Sequence, residues 1–480
     1  MTRPKIVGVN GIGAGAARSS PQPRSRPPFV IYVAAVAALF LLESGLLWVL
    51  GYNYAGFAGS PVTKIHPATY LVALAFFCLC FEHANPIGVG VAMAARRPAC
   101  LLLIVAAALQ LVSIASHNGA GAAGVFDTFI SAPLAVMMFS KADQGTREKL
   151  EKLIHLVMIA NAGLGIVELA IKHPIFPYRI DGEFSIYDMR ATALQGHPLS
   201  NAVVTAVYTL ALVSGGGTLA AWPRLGIILL QLTALVAFGG RVGLVVTVLA
   251  GGLYSIMGLF RVLRTGRVSL LAAAAAVLAV TLVPLVLGVL VNQGFFDAIL
   301  LRFANDGGSA EARVKIMNIF GAIPLGDLLM GADQSLVEDL RRGNGLELGI
   351  ENPIARLILY QGGIVTAVSV LAVGLFLREL ARYSRPGMLL PMMGFLVIIN
   401  TFESIGSKSL LLTKFAVMML VLFRPKVLSS ALAGQMAAGF VSAQAIGRGR
   451  GIAGYPTRPA HVPFHTLRRR PARVSPYFEA

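Results

Sequence analysis

The sequence predicts an all-α fold: a polytopic integral membrane helical bundle of about twelve transmembrane helices, with one large loop on its outer side. Of the 480 residues, 56% are hydrophobic and 13% are charged, whereas soluble domains average roughly 45–50% and about 25%. Apolar runs recur along the chain, and basic residues recur in alternate connections between them. This composition excludes a single soluble globule.

Twelve apolar runs define the expected spans. A helix rises about 1.5 Å per residue, so a hydrocarbon core of about 30 Å needs roughly 20 residues. The first run follows a basic segment and is interpreted as a retained helix rather than a signal peptide. The runs lie at 29–50, 67–82, 98–116, 124–140, 153–171, 198–214, 225–239, 242–260, 268–291, 353–377, 386–401 and 409–423.

Basic residues orient these spans. They follow the second run, as Arg96 and Arg97, and also the fourth, sixth, eighth and tenth. Lys and Arg in short loops stay on the cytoplasmic side. We therefore expect both termini in the cytoplasm and the connections 172–197 and 292–352 outside.

The terminal segments hold most of the net charge of +18. Residues 1–28 and 424–480 together carry fourteen basic residues and one acidic residue. They are rich in Pro, Gly, Ser and Arg and lack periodic apolar residues, which predicts disordered cytoplasmic tails beside an anionic leaflet. The membrane domain is therefore placed at 29–423, and the charge does not predict a nucleic-acid partner.

The connection 292–352 is the longest between two predicted spans. Its 61 residues include nine acidic and five basic ones. A connection of this length usually forms a lid or a binding loop. The stretch from Ala312 to Met330 is partly amphipathic, which predicts one or two short helices inside the loop.

Arginines on the outer side are the first candidate site residues. Arg190 and His197 close the first outer connection, Arg241 follows two glycines in the tightest outer turn, and Arg302 and Arg313 lie in the large loop. The orientation rule disfavours arginine there, and a guanidinium binds phosphate oxygens in pairs. The pattern predicts contact with a lipid diphosphate. Two alternatives stay open: Arg302 only reaches the interface, and His197 only begins a helix before its proline.

Carboxylates supply candidates for a base. Glu351 and Asn352 precede a proline where the large loop re-enters the membrane. A carboxylate there can take a proton from a sugar hydroxyl, or it can cap exposed backbone N–H groups. In the second case His197 is the next candidate base. Glu43 and Glu168 are either pathway carboxylates or hydrogen-bonded groups within the bundle.

Five segments carry a family resemblance. They are Gly-Arg-Val-Gly-Leu at 240–244, Arg-Phe at 302–303, Ser-Ala-Glu-Ala-Arg at 309–313, Pro-Leu-Gly-Asp-Leu-Leu-Met-Gly at 324–331, and the segment 351–363 from Glu-Asn-Pro to Gly-Gly. In order and sidedness they resemble the O-antigen ligase and Wzy-type polysaccharide polymerase superfamily, and within it the VpsF-like exopolysaccharide biosynthesis proteins. The resemblance covers roughly residues 190–380.

The resemblance implies a metal-independent, GT-C-like glycosyltransferase of the bacterial inner membrane, without a cofactor. It would polymerise or ligate undecaprenyl-diphosphate-linked oligosaccharides at the periplasmic face, where 292–352 would lie. Arg241 and Arg313 would hold the diphosphate and Glu351 would act as the base. Many ligases have histidine at position 351, so glutamate favours polymerisation. The expected substrate contacts are Arg302, Arg190, His197 and Asn352.

Two other classes of function remain open on the sequence. One is a flippase or exporter of polysaccharide or lipid-linked glycan, in which inverted repeats and broken central helices are expected. The other is a structural subunit of an export complex. The expected partners are the lipid-linked glycan, the lipid bilayer and other export or chain-length proteins. The cysteines Cys78, Cys80 and Cys100 lie in or beside apolar runs and predict neither a disulfide nor a metal site.

Overall fold

The computed structural model describes most of the predicted membrane domain. It covers residues 29–424 without 57–58, 118–120, 182, 185–189, 266–287, 289–290, 293, 295, 298–299, 302–308, 347–348, 351 and 402–405. These residues are mostly helical, and their strands are one short antiparallel pair, Arg179–Ile180 with Glu183–Phe184. The predicted tails and most of the predicted span 268–291 lie outside the described residues.

The described α-helices, in chain order, are α1 (Phe29–Leu41), α2 (Ser44–Val49), α3 (Pro67–Phe81), α4 (Pro86–Ala95), α5 (Pro98–Ser116), α6 (Ala122–Val125), α7 (Ser131–Phe139), α8 (Gln144–Ile171), α9 (Pro198–Val213), α10 (Ala221–Phe238), α11 (Arg241–Thr265), α12 (Ser309–Ala322), α13 (Leu325–Met330), α14 (Gln334–Gly343), α15 (Pro353–Gln361), α16 (Gly363–Tyr383), α17 (Leu389–Ile399) and α18 (Leu411–Leu422). A π-helical turn, Phe126–Ile130, joins α6 to α7.

Helices long and apolar enough to cross a membrane make this a helical membrane protein. Six are found among the described residues. The helices α3 and α4 are long and apolar enough to cross a membrane only when they are taken together, and the chain bends by 114° between them. Four shorter apolar helices, α1, α9, α17 and α18, accompany them. The six long helices are Pro98–Ser116, Ala122–Phe139, Gln144–Ile171, Ala221–Phe238, Arg241–Phe260 and Gly363–Tyr383.

Two predicted spans are interrupted, which corrects the sequence-based boundaries. The run 29–50 is divided between α1 and α2, with Glu43 at the break. The run 353–377 is divided at Gly362, whose φ of 89° and ψ of 155° lie in a region that is essentially restricted to glycine. By contrast, α5 has the predicted bounds 98–116.

Prolines mark many helix starts. Each of α3, α4, α5, α9 and α15 begins with proline, whose fixed φ suits the first turn and whose missing N–H costs nothing there. A side chain before the proline caps four of these helices by accepting a backbone N–H. The capping residues are His66, Asn85, His197 and Asn352.

The centre of the bundle is formed by α9 and α18. All twelve residues of α18 are buried, as are thirteen residues of α9. A helix that is apolar on every side belongs in such a position. Around them pack α8, α10, α11 and α17, and the rings of Phe395 and Phe415 stack with centroids 4.3 Å apart.

A smaller apolar cluster gathers the helices of the large connection. Ile316, Ile319, Val337 and Leu359 are buried together in it. The two short helices predicted between 312 and 330 are α12 and α13, and α14 is an additional one. This cluster meets the bundle at α5 and α16.

Candidate functional site

The structure brings Arg190, His197 and Arg241 to the same end of the bundle. The amide of Ala191 donates to the carbonyl of Ala237 at 3.3 Å, which ties the segment beside Arg190 to the end of α10. Arg241 begins the next helix, α11, and His197 caps α9. Both arginines are half-buried. Residues widely spaced in the sequence therefore surround one region.

Glycines allow α11 to start directly against α9. A Cβ at Gly240 would lie 2.2 Å from the Cβ of Ala202, and a Cβ at Gly243 would lie 3.3 Å from the Ala202 carbonyl oxygen. Larger residues would force the helices apart. Gly240, the second of the two glycines before Arg241, therefore packs against α9, the helix that His197 caps.

His197 is a half-buried cap of α9. Its Nδ1 accepts the Leu199 amide at 3.2 Å, and Tyr178 meets its ring edge to face at 5.1 Å. Burial, together with the charge of Arg190, lowers the pKa of His197 to about 4. A neutral ring that accepts at Nδ1 carries its proton on Nε2. The Nδ1 atom of His197 is thus occupied by the first turn of α9.

Asn352 caps α15. Its side-chain oxygen accepts the amides of Ile354 at 2.9 Å and Ala355 at 3.0 Å. The capping role considered for Glu351 is thus filled by the residue beside it. The oxygen of Asn352, predicted to contact substrate, is occupied in this way.

Three predicted residues are not described. Arg302 and Glu351 lie outside the described residues. Arg313 belongs to α12, and its side chain also lies outside the described part.

A buried ion pair that the sequence analysis did not select lies near His197. The Lys414 ammonium donates to Glu43 and, at 2.5 Å, to the side-chain oxygen of Gln195. The Gln195 amide in turn donates to the carbonyl of Phe40 at 2.9 Å. The pair joins the break between α1 and α2 to α18. In the sequence this pair is visible only as one acidic residue in the first apolar run and one lysine in the last.

Asp127 is the centre of a second polar cluster. The carboxylate is fully buried in the π-helical turn. It accepts the Thr69 hydroxyl at 2.6 Å, the Tyr54 hydroxyl at 3.0 Å and the backbone amide of His66 at 3.0 Å. Several donors to one carboxylate compensate for the loss of water. The cluster fixes the start of α3 against α7.

Two lysines fasten the loop between α2 and α3. Lys408 lies 3.8 Å from the centre of the Tyr54 ring and donates to the carbonyls of Tyr54 and Lys64. Burial lowers the pKa of Lys408. Lys64 donates to the carbonyl of Asn53 at 2.8 Å. Both ammonium groups thus bind backbone carbonyls of the loop.

Glu168 is hydrogen-bonded within the bundle, the second of its two expected roles. It accepts the amides of Thr192 at 2.7 Å, Ala193 at 2.8 Å and Ile175 at 2.8 Å. These bonds hold both ends of the connection 172–197. Glu168 therefore positions the segment that carries Arg190 and His197.

The polar groups at this end differ in their burial. Glu43, Asp127, Glu168 and Lys414 are occupied by protein partners. Arg190, Arg241 and His197 are half-buried, and they lie at the same end of the bundle. Planar cations and a neutral donor suit an anion with several oxygens, such as a diphosphate.

No cluster of metal-ligating side chains occurs within the part of the chain that the structure describes. The chain matches no family model, no curated protein and no solved structure.

Proposed function

We propose that this protein is a membrane glycosyltransferase that polymerises, or ligates, undecaprenyl-diphosphate-linked oligosaccharides at the outer face of a bacterial cytoplasmic membrane. The observation that carries the proposal is the convergence of Arg190, His197 and Arg241 at one end of the bundle. The proposed topology has twelve spans, both termini in the cytoplasm and 292–352 in the periplasm.

The diphosphate is proposed to bind between Arg190 and Arg241. Each guanidinium offers parallel N–H donors that match phosphate oxygens and keeps its charge at any working pH. His197 adds a neutral donor through Nε2. Arg302 and Arg313 of the large loop are proposed as further contacts of the diphosphate.

Glu351 is proposed as the base. An acceptor hydroxyl attacks the anomeric carbon of the lipid-linked sugar, the bond from that carbon to the diphosphate oxygen breaks, and Glu351 takes the hydroxyl proton. The undecaprenyl diphosphate leaves with the bonding electron pair, and the arginines stabilise its charge. Because Asn352 caps α15, the carboxylate of Glu351 is not needed as the cap.

Reconstitution tests the proposal. Purified protein in liposomes receives a lipid-linked repeat unit, and the products are separated by size. We expect a ladder of longer chains, and we expect neither Arg241→Ala nor Glu351→Gln protein to form it. Arg264→Ala is the matched control, because Arg264 is an exposed arginine near the opposite end of α11.

The same experiment separates polymerase from flippase. A flippase moves the labelled lipid between leaflets without lengthening its glycan. Lipid movement by wild-type protein without any ladder would overturn the proposal in favour of transport.

A further inference from the structure

A basic cavity opens at the other end of the bundle. Its volume is about 580 Å³, within the usual range of roughly 300–1,000 Å³ for small-molecule sites. Three of its lining residues are cationic and two carry hydroxyl groups. Among the residues that line it are Met93, Arg96, Arg97, Ser140, Lys141 and Tyr383.

The helix directions place this cavity away from the Arg241 region. Ser409, just before α18, accepts the Thr128 hydroxyl at 3.0 Å, so α7 and α18 start at the same end. Lys414, in the first turn of α18, reaches Gln195 near His197. Ser140 follows the far end of α7. The cavity and the proposed transferase site therefore occupy opposite ends.

The cavity carries an excess of positive charge. Arg97 stacks on the Tyr383 ring at 3.7 Å, and its Nη1 lies 3.9 Å from a Glu379 oxygen. The other oxygen of Glu379 accepts the amide of Ala99 at 2.9 Å. Nη1 of Arg97 is buried and makes no hydrogen bond to a described residue. Glu379 is thus the carboxylate that lies beside Arg97.

The remaining two cations of the cavity are exposed. Neither Arg96 nor Lys141 pairs with a carboxylate among the described residues. Their charges converge from different elements, because Arg96 ends α4 and Lys141 follows α7. An anion in the cavity would be close to both of them and to Arg97.

An apolar helix borders the cavity. α4 has ten residues, about 15 Å, which is too short to cross a bilayer. It diverges from α3 by 114°. Ile87 and Val91 are 79% and 62% exposed, whereas Met93 is buried towards the cavity. Exposed apolar side chains therefore lie beside the cations of the cavity.

We propose that this cavity binds the phosphodiester headgroup of an anionic phospholipid from the leaflet on this side. Arg96, Arg97 and Lys141 contact the phosphate, and Ser140 and Tyr383 offer hydroxyl donors. The acyl chains lie along the exposed apolar face of α4. Basic pockets between helix ends suit anionic lipids in this way. The inference does not rest on the proposed glycosyltransferase activity.

Lipid titration tests the proposal. Delipidated protein in neutral detergent is titrated with phosphatidylglycerol or phosphatidylcholine, and bound lipid is counted by native mass spectrometry. We expect tighter binding of phosphatidylglycerol. The Arg96→Ala/Lys141→Ala variant should bind it about tenfold or more weakly, since each basic residue contributes about a factor of five.

The control variant removes the same charge elsewhere. Arg264→Ala/Arg378→Ala deletes two exposed arginines that do not line the cavity, and we expect binding within about twofold of wild type. Equal affinity of wild-type protein for the two lipids would overturn the proposal, and so would equal losses in both variants. Displacement of the lipid by millimolar inorganic phosphate would show a phosphate site rather than a lipid site.

Discussion

Ionic side chains at the Arg241 end of this bundle have two physical roles. Lys414 and Glu43 satisfy each other inside the protein, which organises the scaffold. Arg190 and Arg241 are only half-buried and begin or flank short turns. Position relative to the membrane alone does not separate these roles, because all four residues lie near the same end.

Replacing Arg241 with lysine tests the proposed diphosphate contact. A point charge cannot reproduce two parallel hydrogen bonds. We expect the transfer rate to fall by about 10²–10³, equivalent to roughly 2–4 kcal/mol of transition-state stabilisation. Rates are measured on reconstituted protein at equal amounts, with Arg264→Lys on the same helix as the control. A wild-type rate in Arg241→Lys protein would remove Arg241 from the site.

A double-mutant cycle tests the buried ion pair. Lys414→Met leaves the Glu43 carboxylate without its cation, and Glu43→Gln does the reverse. Each change should lower the free energy of unfolding by about 3–5 kcal/mol. The double variant should lose clearly less than the sum, because no uncompensated charge remains. Unfolding in mixed micelles measures these values, and strictly additive losses would contradict the pairing.

Interrupted helices determine where the polar groups of this protein meet. Glu43 lies at the break after α1, where its carboxylate accepts a hydrogen bond from Lys414. The break at Gly362 separates α15, which packs in the smaller apolar cluster, from the long helix α16. At each break the chain changes direction within an apolar run that the sequence predicts as one continuous helix.

Gly362→Ala tests the second break. The backbone conformation is essentially restricted to glycine, and a Cβ would lie 2.5 Å from the Gly331 nitrogen. We expect a loss of on the order of 3 kcal/mol in unfolding free energy. Gly374→Ala in α16 is the control, because its Cβ would meet no atom within 4 Å. That control should be neutral or stabilised by about 0.5–1 kcal/mol. Equal stabilities of the two variants would refute a required glycine at 362.

At the scale of the whole molecule, charge is distributed unequally between the two ends. One end holds the cavity with Arg96, Arg97 and Lys141. The other holds lysines bound to carbonyls and carboxylates, with Arg190 and Arg241 beside them. The positive-inside rule assigns the first end to the cytoplasm, which is the basis of the proposed orientation.

Cysteine labelling tests this orientation. Single cysteines replace Ser335 or Arg264 in a chain whose native cysteines are changed to alanine. An impermeant maleimide added outside intact cells should label position 335 and reach position 264 only after permeabilisation. Labelling of 264 without labelling of 335 would reverse the proposed topology.

The sequence by itself determined the class of fold and most helix positions. Apolar length is a local property, so α3, α5 and α9 could be predicted to within one residue at each end. The candidates Arg190, His197 and Arg241 were likewise selected from local signals, namely turn residues and the distribution of basic loops, and the structure places all three at one end of the bundle.

Only the tertiary structure decided how these elements meet. Lys414 and Glu43 are separated by 371 positions, and no local pattern specifies their pairing. The lowered pKa of His197 likewise depends on burial and on the nearby charge of Arg190. The composition of a segment indicates whether it prefers water or the membrane interior. Hydrogen bonds and ion pairs in a low-dielectric interior depend instead on which distant groups the packing brings within about 3 Å of each other.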